Sequence, residues 1–229
     1  MSQRVAVVRT GTANLASVLA ALVRAGAEPF ETRDADVVRS AARVVLPGVG
    51  AFGAAMGSLA RGGTGTETAG RTADGLIRVR VPGKAVAGTD PGALVAALTE
   101  RARDGRPLLA VCLGLQLLCA ASEESAGVRG LGVVDATVRR FTGDVCVPQL
   151  GWNLVRPEPA CRLLEQGYAY FANSYRLDAI PAGWTGATSD HGGPFVAALE
   201  RGPVLACQFH PELSGRWGQA LIERWLASG

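Results

Sequence analysis

The sequence has few of the residues on which several common kinds of site depend. Its 229 residues include one lysine, Lys84, two histidines, His191 and His210, and five cysteines with no Cys-x-x-Cys pair. This odd number and this spacing argue against a disulfide framework or a zinc site. We therefore expect no metal, no cofactor and a reducing, cytoplasmic setting. The cysteines are Cys112, Cys119, Cys146, Cys161 and Cys207.

Other absences limit the class of protein. No apolar run approaches about 18 residues, and no signal-peptide core follows the N-terminal Met-Ser-Gln-Arg, so we expect no membrane span. The net charge of +3 is spread along the chain, which argues against nucleic-acid binding. A hydrophobic content of 48% and a charged content of 19% are typical of a globular protein, and we expect one domain over residues 1–229.

Apolar strand-like runs alternate with segments of helical periodicity. We predict a helix that Asn14 caps and Gly26 ends, and another over residues 91–103 with Asp90 as N-cap. Further helices are predicted directly after Cys112 and over residues 218–226. The predicted buried strands are residues 5–8, 29–32, 43–46 and 107–111. This alternation predicts an α/β fold with a mostly parallel central sheet, in which ligands bind beyond the carboxyl ends of the strands.

The segment between residues 131 and 208 has a different pattern. Short strands separated by Gly, Pro and Asn predict an antiparallel extension of the sheet. These strands are residues 133–141, 152–155, 168–175, 195–199 and 204–209. Residues 61–90 instead show little periodicity, although alternation over 76–81 allows a short hairpin. We interpret residues 61–90 as an insertion and a mobile surface loop, either a decoration or a lid.

Cys112 is the first candidate for chemistry. An apolar strand ends at this cysteine, Gly114 follows, and a helical pattern begins at once. A sharp strand-to-helix turn exposes the sulfur, and the helix N-terminus beside it favours thiolate over thiol. The geometry predicts a reactive nucleophile.

A thiol nucleophile needs a base, and only two histidines are available. His210 ends an apolar strand, and Glu212 follows two residues later. A carboxylate in that position can hold the imidazole in the tautomer that accepts the thiol proton. His191 lies in a Ser-Asp-His-Gly-Gly turn and is interpreted as a solvated loop residue. We therefore predict a group of Cys112, His210 and Glu212.

A Gly-rich turn after the third strand can supply N–H donors for a developing oxyanion. It is Pro47-Gly-Val-Gly-Ala-Phe-Gly53, and the N–H of Leu113 is a second donor. The Gly-x-x-x-x-Gly-Lys-Ser/Thr pattern is absent, which argues against a phosphate-binding loop.

Three segments in this order resemble the class I, triad-type glutamine amidotransferases. They are Pro47-Gly-Val-Gly-Ala-Phe-Gly53, Cys112-Leu-Gly-Leu-Gln116 and Gln208-Phe-His-Pro-Glu212. Within that family, Gly151-Trp-Asn153 and His210-Pro-Glu-Leu-Ser-Gly215 are similar to the glutaminase subunits of imidazole glycerol phosphate synthase. The resemblance covers nearly the whole chain apart from residues 61–90, and it implies a three-layer α/β sandwich.

The resemblance also implies a reaction and a partner. Cys112 attacks the side-chain amide of glutamine, and His210, oriented by Glu212, moves protons. Water then hydrolyses the γ-glutamyl thioester to glutamate. The ammonia passes to a (β/α)8-barrel cyclase subunit. That subunit makes imidazole glycerol phosphate and aminoimidazole carboxamide ribonucleotide in histidine biosynthesis.

The same resemblance assigns roles to residues outside the triad. Gln116 and the Ser174-Tyr175 backbone would hold glutamine. The segment around Val49 and Gly50 would form the oxyanion hole with Leu113, after a peptide reorients on partner binding. The interface would include Trp152 and Asn153. The alternative for Trp152 is an ordinary core aromatic.

Several positions depart from the family pattern. The first turn is Arg9-Thr-Gly-Thr-Ala-Asn14 where relatives carry an Asp-Tyr-Gly-x-Gly-Asn type of turn, and Gln149 and Asn173 stand where relatives have histidines. These amides donate hydrogen bonds but do not titrate. Two alternatives stay open: a glutaminase that serves another synthase, and a non-catalytic regulatory subunit.

Overall fold

Parallel strands form the centre of the sheet. The structure is a computed structural model that describes residues 3–11, 15–62, 66–72, 75–81 and 91–228. The central strands are β1 (Gln3–Val8), β2 (Ala27–Thr32), β3 (Arg43–Gly48), β6 (Leu108–Cys112) and β14 (Val204–Cys207). They lie side by side in the order β2-β1-β3-β6-β14, each parallel to its neighbours. Most of their residues are apolar and buried, as is typical of parallel strands covered on both faces.

Helices cover both faces of this sheet. They are α1 (Leu15–Arg24), α2 (Ala35–Ser40), α3 (Phe52–Arg61), α4 (Ala93–Arg103), α5 (Leu113–Leu118) and α6 (Gly215–Ala227). Helices α1 and α6 share a core with Val5 and Val7, whereas α2 to α5 pack with Ala6 and Val8 on the opposite face. The three-layer α/β fold is therefore confirmed. In the described residues, no helix has the length and apolar character needed to cross a membrane.

The sheet continues beyond β14 as an antiparallel extension, as predicted. Its strands are β13 (Pro194–Arg201), β12 (Thr185–Asp190), β9 (Gln149–Pro157) and β10 (Gly167–Asn173). The predicted strand 204–209 is β14, which pairs parallel with β6 and so belongs to the centre of the sheet. The prediction was also wrong for residues 133–141 and for the end of 168–175. There β8 (Val134–Arg140) pairs with both β7 (Cys119–Ser122) and β11 (Tyr175–Arg176) in a separate small sheet. Period-two alternation does not reveal which sheet a strand joins.

Residues 61–90 include a hairpin. Strands β4 (Thr66–Thr72) and β5 (Gly75–Val81) pair antiparallel, and β4 adds to the edge of β2. The alternating segment 76–81 is thus a strand rather than part of an irregular loop. The proposed caps Asn14 and Asp90 lie outside the described residues.

Helices α2 and α3 were not predicted. Helix α2 is short, and the carboxylate of Asp34 caps it by accepting from the N–H groups of Asp36 and Val37. Helix α3 contains Gly53 and Gly57, which weaken the helical signal. Its start at Phe52 places a helix N-terminus directly after the Gly-rich turn that follows β3.

Candidate active site

Cys112 occupies a strained turn between β6 and α5. Among the described residues it is the only non-glycine with a positive φ, at 53°. Such a conformation costs on the order of 1–3 kcal/mol and persists only where the surrounding structure enforces it. Gly114 allows this turn, because a Cβ there would lie 2.0 Å from the carbonyl oxygen of Leu46. The predicted sharp strand-to-helix turn is therefore present.

His210 and Glu212 meet Cys112 from the neighbouring strand. The chain leaves β14, and the His210 N–H donates to the Tyr170 carbonyl at 2.9 Å. A short 3-10 turn, Pro211–Leu213, then brings Glu212 back, so that its Oε1 lies 2.8 Å from His210 Nδ1. Both side chains are more than nine-tenths buried. The Nδ1–carboxylate contact leaves Nε2 of the ring for the thiol of Cys112.

The contacts of His210 set its charge. Burial of the ring lowers its pKa, but hydrogen bonds to Cys112 and Glu212 and the charges of these two groups outweigh burial. Together they raise the pKa from 6.5 to about 10. His210 is therefore protonated at neutral pH. The arrangement can deliver a proton to a leaving group after the sulfur attacks.

This protonation predicts a pH dependence of stability. Because the pKa of His210 is higher in the folded chain, about 10 against 6.5, its contribution is fully present below pH 6.5 and is lost as pH rises towards 10. We expect the wild-type free energy of unfolding, relative to that of His210→Gln, to decline over this range. Urea unfolding at several pH values measures it, with His191→Gln as a control that leaves the triad intact. Parallel pH curves for wild type and His210→Gln would contradict the assignment.

A cavity of about 290 Å³ opens beside the sulfur of Cys112. Its lining includes every residue predicted for the oxyanion hole and for substrate binding, together with Cys112 and His210. The predicted residues are Val49, Gly50, Leu113, Gln116, Ser174 and Tyr175. Glu212 lies behind His210 and does not line this cavity. Trp152 and Asn153 do not line it either.

The Gly-rich turn is anchored on one side. The N–H of Phe52 donates to Glu124 Oε2 at 2.6 Å, and the N–H of Gly53 donates to Ser125 Oγ at 2.9 Å. Gly50, just before these anchors, has φ of 91°, a conformation that strongly favours glycine. Val49 and Gly50, which line the cavity, thus lie directly before a fixed helix start.

Comparison with known proteins decides the family. The family model "Glutamine amidotransferase class-I" matches residues 87–227. The "Imidazole glycerol phosphate synthase subunit HisH" of Escherichia coli K12 is 37% identical over 227 residues, which covers 97% of this chain and 98% of that protein. The HisH subunit of Symbiobacterium thermophilum is 34% identical over 97% of this chain and 92% of its own length. The chain belongs to the class-I glutamine amidotransferases.

Solved structures agree with this family at the level of the fold. A crystal structure titled glutamine amidotransferase superposes with a TM-score of 0.67 at 20% identity and covers 97% of each chain. The PurLQS structure from Thermotoga maritima gives a TM-score of 0.62 at 16% identity, over 99% of both chains. These identities are low, so the likeness concerns the α/β architecture.

Three residues that line this amidotransferase's cavity had no predicted role: Glu124, Ala172 and Asn173. Glu124 lines the cavity and accepts from Phe52. It lies in the turn after β7, and no spacing rule connects it to Cys112. Only the three-dimensional structure brings it to the site.

The two amides noted above as departures from the family pattern lie on paired strands. Gln149 and Asn173 are directly opposite each other in β9 and β10, and both are buried. Asn173 donates to the Tyr175 carbonyl at 3.0 Å and lines the cavity. Within the described chain, the side-chain oxygens of both residues are buried without a hydrogen-bond partner. Both positions therefore hold buried acceptors that do not titrate.

Trp152 lies on an exposed apolar face of the β9–β10 edge. Leu150, Trp152 and Tyr168 are 66%, 57% and 61% exposed, respectively. The alternative interpretation of Trp152 as a core aromatic is therefore wrong. Asn153 instead makes an internal contact, donating to the Asp190 carbonyl at 2.5 Å.

Proposed function

We propose that this chain is the glutaminase subunit of an imidazole glycerol phosphate synthase, hydrolysing glutamine to glutamate and ammonia. The observation that carries this proposal is the hydrogen-bonded series Cys112–His210–Glu212 beside a cavity, in a chain of this family. Residues 1–229 act as one amidotransferase domain in the cytoplasm, with residues 61–90 as an insertion. All five cysteines are free, which supports a reducing compartment.

The geometry gives Cys112 and His210 a step each, while Glu212 orients His210. The Cys112 thiolate adds to the side-chain amide carbon of glutamine, and the carbonyl oxygen becomes an oxyanion. N–H groups of Leu113 and of the Val49–Gly50 segment stabilise that charge. The protonated His210 gives its proton to the nitrogen, the C–N bond breaks and ammonia leaves. Water, deprotonated by His210, then cleaves the γ-glutamyl thioester to glutamate and regenerates the thiol.

The cavity also offers groups that match the amino-acid end of glutamine. Glu124 provides a carboxylate for the α-ammonium group, and Gln116 and the Ser174-Tyr175 backbone provide hydrogen-bonding groups. Gln116 Nε2 already donates to the Tyr175 carbonyl at 3.3 Å, which ties these two positions together. We propose that these residues hold glutamine with its amide carbon at the sulfur.

We expect Glu124→Gln to raise the KM for glutamine by about 10-fold or more with a smaller change in kcat, because one charge-assisted contact is lost. Steady-state glutamate release measures both constants. Glu123→Gln is the matched control, since Glu123 lies one residue away and contacts the Arg140 N–H on the exposed side. An unchanged KM in Glu124→Gln would rule out the ammonium contact.

The proposed partner is a (β/α)8-barrel cyclase subunit that receives the ammonia. The exposed apolar face of Leu150, Trp152 and Tyr168 supports a docking surface near the active site. It lies on β9 and β10, and β10 also contacts the site through the Tyr170 carbonyl at His210 and the Ala172 carbonyl beside Cys112. Docking on this face can therefore act on the cavity through one strand.

The decisive experiment combines the chain with a cyclase subunit and its nucleotide substrate. Glutamate release under these conditions would support the proposal, and its absence would overturn it. Complementation of a histidine auxotroph that lacks this subunit, with the matched cyclase supplied, tells whether the ammonia serves imidazole glycerol phosphate synthase or another synthase. Glutamate release without complementation would indicate a glutaminase that serves another synthase.

A further inference from the structure

We infer that Gln208 is a positioning residue for the nucleophile: its side-chain amide donates a hydrogen bond to the sulfur of Cys112, and Gln116 fixes the orientation of that amide. This inference rests on the proposed function, because it concerns the same sulfur. It gives a role to a glutamine that precedes the base by two residues.

The contacts of Gln208 place its amide against the sulfur. Gln208 follows β14 directly, is fully buried, and its backbone N–H donates to the Ala197 carbonyl at 2.8 Å. Its side-chain Nε2 lies 3.8 Å from the Cys112 sulfur, and its Oε1 accepts from Gln116 Nε2 at 3.0 Å. The nitrogen and the oxygen of this buried amide therefore both have a partner, and the partner of the nitrogen is the nucleophile.

The orientation of the Gln208 amide follows from its neighbour. Gln116 Nε2 also lies 3.3 Å from the Tyr175 carbonyl oxygen, so this nitrogen is held between two acceptors. The acceptor end of Gln208 must then face Gln116, and its NH2 group must face the sulfur. An NH2 group donates but does not accept, so it favours a sulfur that carries no proton.

Two other groups close to the sulfur act differently. The Ala172 carbonyl, 4.0 Å away, accepts from the protonated thiol, whereas His210 takes the proton. Two carboxylates belong to the same site: Glu124 lines the cavity, and Glu212 contacts His210 Nδ1. Negative charge on either carboxylate disfavours a thiolate. Gln208 is thus a neutral donor that holds the sulfur on the side away from the cavity opening. Because Gln116 lines the cavity, a ligand that contacts Gln116 can change the position of the Gln208 amide and so affect the sulfur.

The test uses Gln208→Met, which has similar volume and no donor. Alkylation of Cys112 by iodoacetamide is followed by peptide mass spectrometry across pH 5 to 9. The background is Cys146→Ser, because Cys146 is exposed, while burial raises the pKa of Cys119 to about 12 and that of Cys207 well above its usual range. We expect the rate at pH 7 to fall about fivefold and the midpoint of the pH profile to move upward, because a hydrogen bond to the charged form is lost.

Gln149→Met is the matched control, because Gln149 is also buried and makes no hydrogen bond to Cys112. Its alkylation profile should match the parent. A folded Gln208→Met protein with an unchanged rate and midpoint overturns the inference. If Gln208→Met lacks a cooperative thermal transition, Gln116→Met replaces it, since that change frees the Gln208 amide. We expect a smaller shift in the same direction, and no shift overturns the inference.

Alkylation requires neither glutamine nor a cyclase, so the positioning role of Gln208 is tested independently of the proposed glutaminase function. A chain that releases no glutamate can still show the Gln208 effect on Cys112. Conversely, an active glutaminase whose Gln208→Met variant keeps the parent profile would reject the positioning role alone.

Discussion

Cys112→Ala is expected to lower glutamate release by about 10⁴-fold or more, measured with the cyclase subunit and its nucleotide substrate present. Without the sulfur no thioester forms, and water must attack a glutamine amide directly. Gln116, Glu124 and the backbone of Ser174 remain in the cavity, so glutamine binding measured by calorimetry should persist. Loss of turnover with retained binding is the signature of a missing nucleophile.

Cys119→Ala is the control for this experiment, because Cys119 is a buried free cysteine at the end of α5 that does not line the cavity. It should keep activity within about threefold, as expected for a modest change in packing. A glutamine-derived diazo-ketone should label Cys112 in the parent protein. Full activity in Cys112→Ala would overturn the nucleophile assignment, and no labelling of the parent would favour a non-catalytic subunit.

The triad was predictable from sequence because each member has a local signal. Cys112 and His210 both end buried strands, and Glu212 is two residues from His210. Parallel strands β6 and β14 are neighbours, so their carboxyl ends lie together. The strand before His210 was predicted in the antiparallel extension, so the sequence linked His210 to Cys112 by its chemistry, as one of only two histidines. The parallel pairing of β14 with β6 came from the structure.

Other parts of the site depend on contacts that no local pattern encodes. Glu124 reaches the cavity from the turn after β7, in the small sheet that the sequence analysis did not separate from the large one. Helix α3 was hidden by its glycines, although its start anchors the Gly-rich turn. The hydrogen bond from Gln208 to Cys112 joins residues 96 positions apart. Such pairings follow from packing, which periodicity alone does not determine.

The second large effect is stimulation by the partner. We expect the cyclase subunit to raise the rate of glutamate release by about 10²–10³-fold, the usual effect of one oxyanion donor. The N–H groups of Phe52 and Gly53 are bound to Glu124 and Ser125, so the adjustable donors are the peptides just before them, at Gly50. Glycine at φ of 91° permits that peptide to reorient. Titration of the cyclase into a glutamate-release assay measures the stimulation, and strong turnover by the isolated chain would contradict it.

Trp152→Glu tests whether this stimulation depends on the exposed face of Leu150, Trp152 and Tyr168. A carboxylate at a site that becomes buried against a partner loses hydration, so the cyclase concentration for half-maximal stimulation should rise by about 10-fold or more. Ala182→Glu adds the same charge on an exposed turn outside β9 and β10 and should leave the titration unchanged. Equal titration curves for the two variants would place the docking surface elsewhere. A selective loss in Trp152→Glu would connect the β9–β10 edge to Cys112, because the Ala172 carbonyl of β10 lies beside the sulfur.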